Sequence, residues 1–298
     1  MIFNNIAVMP NEKKDPFFEH TKNLINYLLG LNAINVSVDE IYKQKINNCV
    51  VKYMGEEDLY KSCDLLIALG GDGTILRASA EASRFGKPVI GVNLGRIGFM
   101  SEIELHEIHL FGNLFSENNI NYAVENRMMI DVEIIKDTGD TGAGAGTEIM
   151  KVGSALNDAV ITNGVMAKLI EIDLFSDGAK ITHYRADGVI IATPTGSTGY
   201  SMSAGGPVID PNIACLCVTP ICSHSLINRP IIFSHDSVLE VRSKNTKSEV
   251  YLTVDGRLNI KLDESDTVRI TKSKFTAKFI RIKNNSFFDV IREKISEN

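Results

Sequence analysis

An unbroken apolar run, Leu65-Leu66-Ile67-Ala68-Leu69, stops at Gly70-Gly71-Asp72-Gly73-Thr74 and is followed by a segment of helical composition, Ile75 to Phe85. This order of residue types limits the fold more than any other stretch. A continuous apolar run suits a parallel strand buried on both faces, and the change of pattern after it predicts a strand-to-helix turn. Gly70, Gly71 and Gly73 lack Cβ, so the backbone there can bring its N–H groups close to a ligand, at a helix N-terminus that favours negative charge. An acid, Asp72, therefore stands where an anion is expected. Two readings follow. Asp72 either caps the helix start, or it is a reactive acid that accepts a proton, holds a cation or binds hydroxyls.

Strands and helices alternate on both sides of this turn. Ile6 to Met9 is a short apolar strand, and Asp15-Pro16 starts a helical pattern through Phe18, Leu24, Ile25, Leu28 and Leu29 that ends at Gly30. Ile34 to Val38 alternates as a strand, Glu56 to Cys63 leads into Leu65 to Leu69, and Pro88 to Leu94 is a further buried strand. The pattern predicts an α/β N-terminal domain with a mainly parallel, Rossmann-like sheet, over residues 1–125. Ligands of such sheets sit beyond the C-terminal strand ends, where Asp72 falls. At the same edge Gly95-Arg96-Ile97-Gly98-Phe99 is a glycine-bracketed loop, and Phe99 either stacks on a base or plugs the core. Glu102 to Asn118 reads as a helix carrying His106 and His109 on a solvated face.

Near Asn126 the pattern changes to the alternation of Met128 to Ile134, and few helical signals follow for the next hundred or so residues. A β-rich domain over residues 126–272 is expected, then a segment, 273–298, whose terminal helix (Ser286 to Ser296) packs back on the first domain. The tract Thr138 to Thr147 is low in complexity and reads as a flexible hairpin loop. Asn157-Asp158 lies inside an apolar strand-like run: either the pair sits on a bend and faces a ligand, or one member faces solvent through ordinary alternation. Lys168 belongs to the polar face of an alternating strand, and Asp255-Gly256 is a hairpin signal with Arg257 beside it.

The densest stretch is Arg185-Ala186-Asp187 to Gly205-Gly206-Pro207. A buried strand ends at Pro194, and Thr195-Gly196-Ser197-Thr198-Gly199-Tyr200-Ser201-Met202-Ser203 then runs on without a charge. Closely spaced backbone N–H groups and hydroxyls suit phosphate or ribose and do not suit an apolar core. Thr198, Tyr200 and Ser203 are the candidates to face a pocket.

The net charge of −6 gives no electrostatic footprint for nucleic acid. No stretch is long enough to cross a bilayer and the N-terminus has no basic start or small-residue cleavage site, so a cytoplasmic protein without a membrane partner is expected. Five cysteines without a secreted framework are read as reduced thiols. No metal site is assigned to the chain.

Gly70-Gly71-Asp72-Gly73-Thr74, then Asn157-Asp158, Asp187-Gly188, Thr193-Pro194-Thr195-Gly196-Ser197-Thr198 and Ser203-Ala204-Gly205-Gly206-Pro207, closely resemble bacterial NAD kinases in order and spacing, over essentially the full length. The Thr-Pro-Thr-Gly-Ser-Thr block is the specific part, since lipid kinases and phosphofructokinases share the Gly-Gly-Asp-Gly core. The resemblance implies transfer of the terminal phosphoryl group of ATP, or of polyphosphate, to the 2′-hydroxyl of the adenosine ribose of NAD. Asp72 then matches the proposed base, and Gly71, Gly73, Thr74 and Arg77 go to nucleotide binding. Asn157 and Asp158 match the pair that holds the NAD ribose, with Asp158 shorter than the Glu of many relatives. Arg185 and Asp187 match positions contacting the second nucleotide part, across a subunit boundary in some members. Thr198, Gly199, Tyr200, Ser201, Met202 and Ser203 match the adenine and ribose loop, Lys168 and Arg257 weaker binding positions, and Phe99 an aromatic at the pocket edge. Gly199 stands where relatives usually have Ala, and Ser223 where they usually have Pro. The resemblance further implies Mg²⁺ or another divalent metal carried with ATP, and a homodimer or homotetramer. A lipid or sugar kinase sharing the acidic glycine turn, and a noncatalytic dinucleotide-binding module, are the competing readings.

Overall fold

Alternation of apolar strands with one-faced helices builds the first half of the chain. The computed structural model describes residues 3–31, 34–95, 98–115, 122–137, 147–164, 169–224, 228–244 and 249–296. They form two compact units, residues 1–127 with 276–298 and residues 128–275.

In the first unit the order is β1 (Asn5–Pro10), α1 (Glu19–Leu29), β2 (Asn35–Asp39), α2 (Lys43–Ile46), β3 (Lys52–Met54), α3 (Glu56–Ser62), β4 (Leu65–Gly70), α4 (Asp72–Arg84), β5 (Pro88–Asn93), β6 (Ile103–Glu104) and α5 (Phe111–Leu114). All strand pairs among these are parallel, in the order β3-β2-β1-β4-β5. Every residue of β4 and β5 is buried, as their apolar runs require. Helix α4 packs on β4 and β5 through Ile75, Leu76, Ala78 and Ala82. Leu24, Ile25 and Leu28 of α1 join Ile6, Val8, Val36, Val38, Leu65, Ile67 and Ile90 in one core.

The second unit is antiparallel. Its strands are β7 (Ala123–Asp137), which begins in the first unit, β8 (Thr147–Ala155), β9 (Asp158–Asn163), β10 (Ile170–Ser176), β11 (Ala179–Ala186) and β12 (Gly188–Ala192). After a short helix α6 (Tyr200–Ser203) come β13 (Cys215–Ile221), β14 (Ile231–Ser234), β15 (Leu239–Lys244), β16 (Val250–Val254), β17 (Leu258–Leu262) and β18 (Thr267–Arg281). One sheet has the order β14-β13-β12-β9-β16-β17; β11-β10-β15-β18 pair in a second, and β7 pairs with β18 and β8. Both sheets contribute to a single core of Ile161, Ile172, Val189, Ile191, Leu216, Val241, Leu252 and Val268.

The last residues of β18 return to the first unit, where Lys278 and Phe279 pair in parallel with Pro88 and Val89 of β5. Helix α7 (Phe287–Ser296) follows and belongs to that unit, with Phe287 set against Phe99 at 6.3 Å between ring centroids.

Four local expectations change. Where a helix over Glu102 to Asn118 is expected, the described residues show β6, then a 3₁₀ turn over Leu105–Leu110 and the four residues of α5, while residues 116–118 lie outside the described residues. The cause is a capping box, in which Glu104 and Glu107 satisfy each other's backbone N–H and start a tight turn. Strand β3 sits in what reads as a polar connection, and the polar strand β17 follows the Asp255-Gly256 turn as its hairpin partner to β16. Strand β18 runs to Arg281, well past the expected end at Thr271. Residues 138–146 of the glycine-rich tract lie outside the described residues; the antiparallel pairing of β7 with β8 ends next to it at Asp137 and Thr147.

Candidate functional site

In the first unit the site is built where β4 stops. Gly70 is required there because a Cβ on it would lie 2.4 Å from Thr74 Oγ1. Gly71 is the N-cap of α4 and Asp72 its first residue, yet the helix start has no side-chain cap. The Asp72 carboxylate turns instead to the neighbouring loop: Oδ2 accepts from the Phe99 amide at 2.9 Å and Oδ1 from the Met100 amide at 3.2 Å. The capping reading of Asp72 is therefore wrong. Two backbone donors fix the carboxylate's orientation and leave its remaining lone pairs for a substrate. Gly98 makes this approach possible, since a Cβ on it would fall 1.8 Å from Asp72 Oδ1.

Thr74 Oγ1 accepts a 2.6 Å hydrogen bond from Asn11 Nδ2, which ties the turn to the end of β1. Gly73 is exposed, with open space where a Cβ would be. Phe99 is half-buried, so its ring neither plugs the core nor stands free. Arg77, one turn into α4, is exposed and pairs with Glu56 at 3.1 Å. That partner draws its guanidinium toward α3.

In the second unit Asn157 lies on a bend between β8 and β9, and Asp158 is the first residue of β9. This settles the choice between bend and plain alternation in favour of the bend. Asp255 holds the bend from one side, its side chain fully buried in the β16–β17 turn. Its carboxylate accepts from the amides of Leu156 (3.0 Å), Asn157 (2.8 Å) and Asp158 (3.2 Å). From the other side Thr193 donates its amide to Asn157 O at 2.9 Å and its hydroxyl to Leu156 O at 2.5 Å. Gly196 closes against the same peptide, for a Cβ on it would lie 2.1 Å from Asn157 O. The result is a rigid bend in which Asn157 Oδ1 is buried without a partner among the described residues. An unmet buried acceptor of this kind costs free energy unless a ligand or water satisfies it.

Burial, and then the charge of Asp255, push the Asp158 carboxyl up to about 7. Burial also raises Asp255, against the three backbone donors and Arg257, whose Nη2 lies 3.6 Å from its carboxylate. Arg257 thus reaches the bend through Asp255.

Along the loop after β12, Thr195–Thr198 forms one 3₁₀ turn and α6 follows. Thr198 donates its hydroxyl to Thr195 O at 3.2 Å, and Gly199 donates its amide to Gly196 O at 2.9 Å. Tyr200, Met202 and Ser203 are exposed and free to meet a ligand. Ser201 is not: it is fully buried, and its hydroxyl shares a 3.0 Å hydrogen bond with Thr219. Its role is to hold α6 to β13. Arg185, exposed on β11, and Asp187, half-buried ahead of β12, lie at the opposite end of β12 from Thr193. Lys168 lies outside the described residues.

The sequence reading missed Asn11, Gly98, Thr193 and Asp255. Asp255 had a signal, because an Asp-Gly turn between apolar strands marks a hairpin, but that signal is silent about where the carboxylate points.

Residues 18–117 match the ATP-NAD kinase N-terminal domain family, and residues 156–282 the ATP-NAD kinase C-terminal domain family. An NAD kinase of Thermoanaerobacter sp. (strain X514) is 38% identical over 299 residues, covering 98% of this chain and 99% of that protein. An NAD kinase of Natranaerobius thermophilus is 34% identical over 296 residues, with 98% of each chain covered. Among solved structures, yeast NADH kinase complexed with NADH superposes with a TM-score of 0.85 at 27% identity, covering 100% of this chain and 89% of that one. An NAD kinase from Archaeoglobus fulgidus in complex with ATP shares the fold, with a TM-score of 0.69, 24% identity and 99% of each chain covered. On these matches and on the motifs they span, the chain belongs to the NAD kinase family.

Proposed function

We propose that the protein transfers the terminal phosphoryl group of ATP to the 2′-hydroxyl of the adenosine ribose of NAD, giving NADP and ADP. The observation that carries this reading is the Asp72 carboxylate, held by two amides at a glycine turn and not spent on capping its own helix. As the hydroxyl oxygen bonds to the γ-phosphorus, its proton passes to Asp72 and the bond to the bridging oxygen breaks with its electron pair on ADP. Phosphoryl transfer asks a protein for positioning and charge neutralisation more than for covalent help. The helix start at Gly71–Thr74 is suited to phosphate oxygens.

Asn157 and Asp158 hold the NAD ribose. Asn157 Oδ1 accepts from a ribose hydroxyl, which removes the unmet acceptor. Asp158, with its carboxyl near 7, is divided between acid and carboxylate at neutral pH and so both donates and accepts. Tyr200, Met202 and Ser203 offer exposed surface to the adenine, with Thr198 and Gly199 beside them; Phe99 of the first unit, Lys168 and Arg257 are assigned to nucleotide binding by the family motif they match.

Mg²⁺ or another divalent metal belongs to this reading as a companion of ATP, and when bound it supplies charge neutralisation on the phosphates. Among the described residues no three His, Cys, Asp or Glu side chains cluster. The placement of Arg185 and Asp187 at the far end of β12 fits a contact with a nucleotide in a neighbouring subunit of a homodimer or homotetramer. No helix among the described residues is long and apolar enough to cross a membrane; the cytoplasm is the proposed location.

The test is incubation of the purified protein with ATP, Mg²⁺ and NAD, read by an NADP-specific dehydrogenase, with polyphosphate replacing ATP in a parallel arm. NADP formation is expected. Absence of NADP from both donors, with phosphorylation of a lipid or sugar, overturns the reading.

A further inference from the structure

Strand β1 ends at Pro10, and the next residues turn across the end of β4. Asn11 fixes that turn: its amide donates to Leu69 O at 3.0 Å, and its Oδ1 accepts from the amides of Lys13 at 3.0 Å and Lys14 at 3.3 Å. With the Asn11–Thr74 hydrogen bond already described, the turn is anchored to both β4 and the first turn of α4. Lys14 is placed by this anchor. Its ammonium stands over the glycine turn, so that a Cβ on Gly71 would lie 2.4 Å from Nζ and one on Gly95 3.4 Å from it. Lys14 is exposed, and no acid pairs with Nζ among the described residues.

The location in the sheet gives this ammonium a purpose. From β1 the chain winds to β2 on one side, and from β4 it winds to β5 on the other, so the C-terminal ends of β1 and β4 flank the point where the winding reverses. Open parallel sheets bind ligands in that crevice. Asn11–Lys14 forms one lip of it and Gly71–Thr74 the other. An unpaired cation, an uncapped helix N-terminus and missing Cβ atoms between them describe a place for an anion with several oxygens.

We propose that Lys14 is the donor-phosphate lysine of this enzyme, its ammonium holding the phosphate chain of ATP or polyphosphate over the Gly70–Thr74 turn. The assignment rests on the phosphotransferase reading above. Lys14 acts as a point charge with rotatable donors, so it follows the phosphate as charge shifts toward the leaving group. Motif reading passes it by, since Lys13-Lys14 looks like an ordinary solvated pair.

The test compares Lys14→Ala, Lys14→Arg and, as a neighbouring control, Lys13→Ala in the full chain. Calorimetric titration with ATP and with inorganic tripolyphosphate is expected to show affinity lost by about ten- to a hundredfold in Lys14→Ala, the worth of one hydrogen bond to a charged group. Lys14→Arg recovers part of the loss, Lys13→Ala behaves as wild type, and NAD affinity is unchanged in all three. KM for ATP rises in step while KM for NAD does not. The melting temperature of Lys14→Ala stays at the wild-type value, because the side chain is exposed and unpaired. Wild-type affinity for ATP and tripolyphosphate in Lys14→Ala, or a loss confined to NAD, overturns the proposal. Tripolyphosphate binding through Lys14 by a wild-type protein that makes no NADP leaves the lysine assignment standing and overturns the phosphotransferase reading instead.

Discussion

Replacing Gly98 by Ala tests the assignment of Asp72 without touching its chemistry. The new Cβ would sit 1.8 Å from Asp72 Oδ1, whereas real Cβ contacts stay beyond 3.0 Å, so the gap must open by about 1.2 Å. The neighbour that has to yield is a carboxylate held by amides at 2.9 and 3.2 Å, and neither bond survives a shift of that size. A reacting group misplaced by about an ångström costs on the order of a hundredfold in rate. We therefore expect kcat to fall by about that factor in the coupled NADP assay, with KM for NAD and ATP nearly unchanged. Thermal unfolding should show a loss of about 1–3 kcal/mol, from the broken carboxylate–amide bonds. Asp72→Asn should keep NAD binding and lose most of the turnover. If Gly98 acts through Asp72, adding Gly98→Ala to Asp72→Asn lowers kcat little further, since groups acting as a unit are not additive. Near-normal turnover in Gly98→Ala, or two losses that multiply in full, refutes the reasoning.

Two other perturbations address the second unit. Asp158 keeps its proton up to about pH 7 in the folded chain but releases it near its ordinary value of 3.8 when unfolded, so the folded state binds more protons between these values and stability falls as pH rises through that window. Asp158→Asn removes the fall, and its melting temperature should gain on wild type between pH 5 and pH 8; equal shifts at both pH values would rule the explanation out. Gly196→Ala drives a Cβ to 2.1 Å from Asn157 O and should raise KM for NAD by about tenfold or more while sparing KM for ATP, with an unchanged KM for NAD the contrary result.

Local order of residue types made much of this molecule legible. An apolar run ending in glycines was enough to place β4, the turn and α4, because burial on both faces and the loss of Cβ are properties of neighbours in sequence. The terminal helix likewise announced itself by its spacing. Less legible were contacts closed by the fold. Asp255 reaches Asn157 across 98 residues and Asn11 reaches Thr74 across 63, and nothing local to either residue records its partner. Ser201, assigned to the nucleotide loop through the family resemblance alone, turns out fully buried with its hydroxyl on Thr219, a contact that its position in the loop does not record. Strands β3 and β17 were missed because edge strands need few apolar residues.

The return of β18 to the first unit carries a consequence for the order of events during synthesis. Arg281 bonds Glu102 at 3.0 Å and Glu125 at 2.6 Å, while the amides of Ile282 and Lys283 donate to Glu102 at 2.8 and 2.7 Å. On a ribosome that has not yet reached Thr276, Glu102 has none of these partners and Pro88 and Val89 of β5 lack their β18 neighbours, although Val92 and Asn93 already pair with β6. The unit spanning residues 128–275 is contiguous and needs nothing later in the chain. The half of the protein translated first is thus the half that completes last, and a nascent chain stalled before Thr276 should protect the amides of β9 and β12 from exchange more fully than the Pro88–Val89 end of β5.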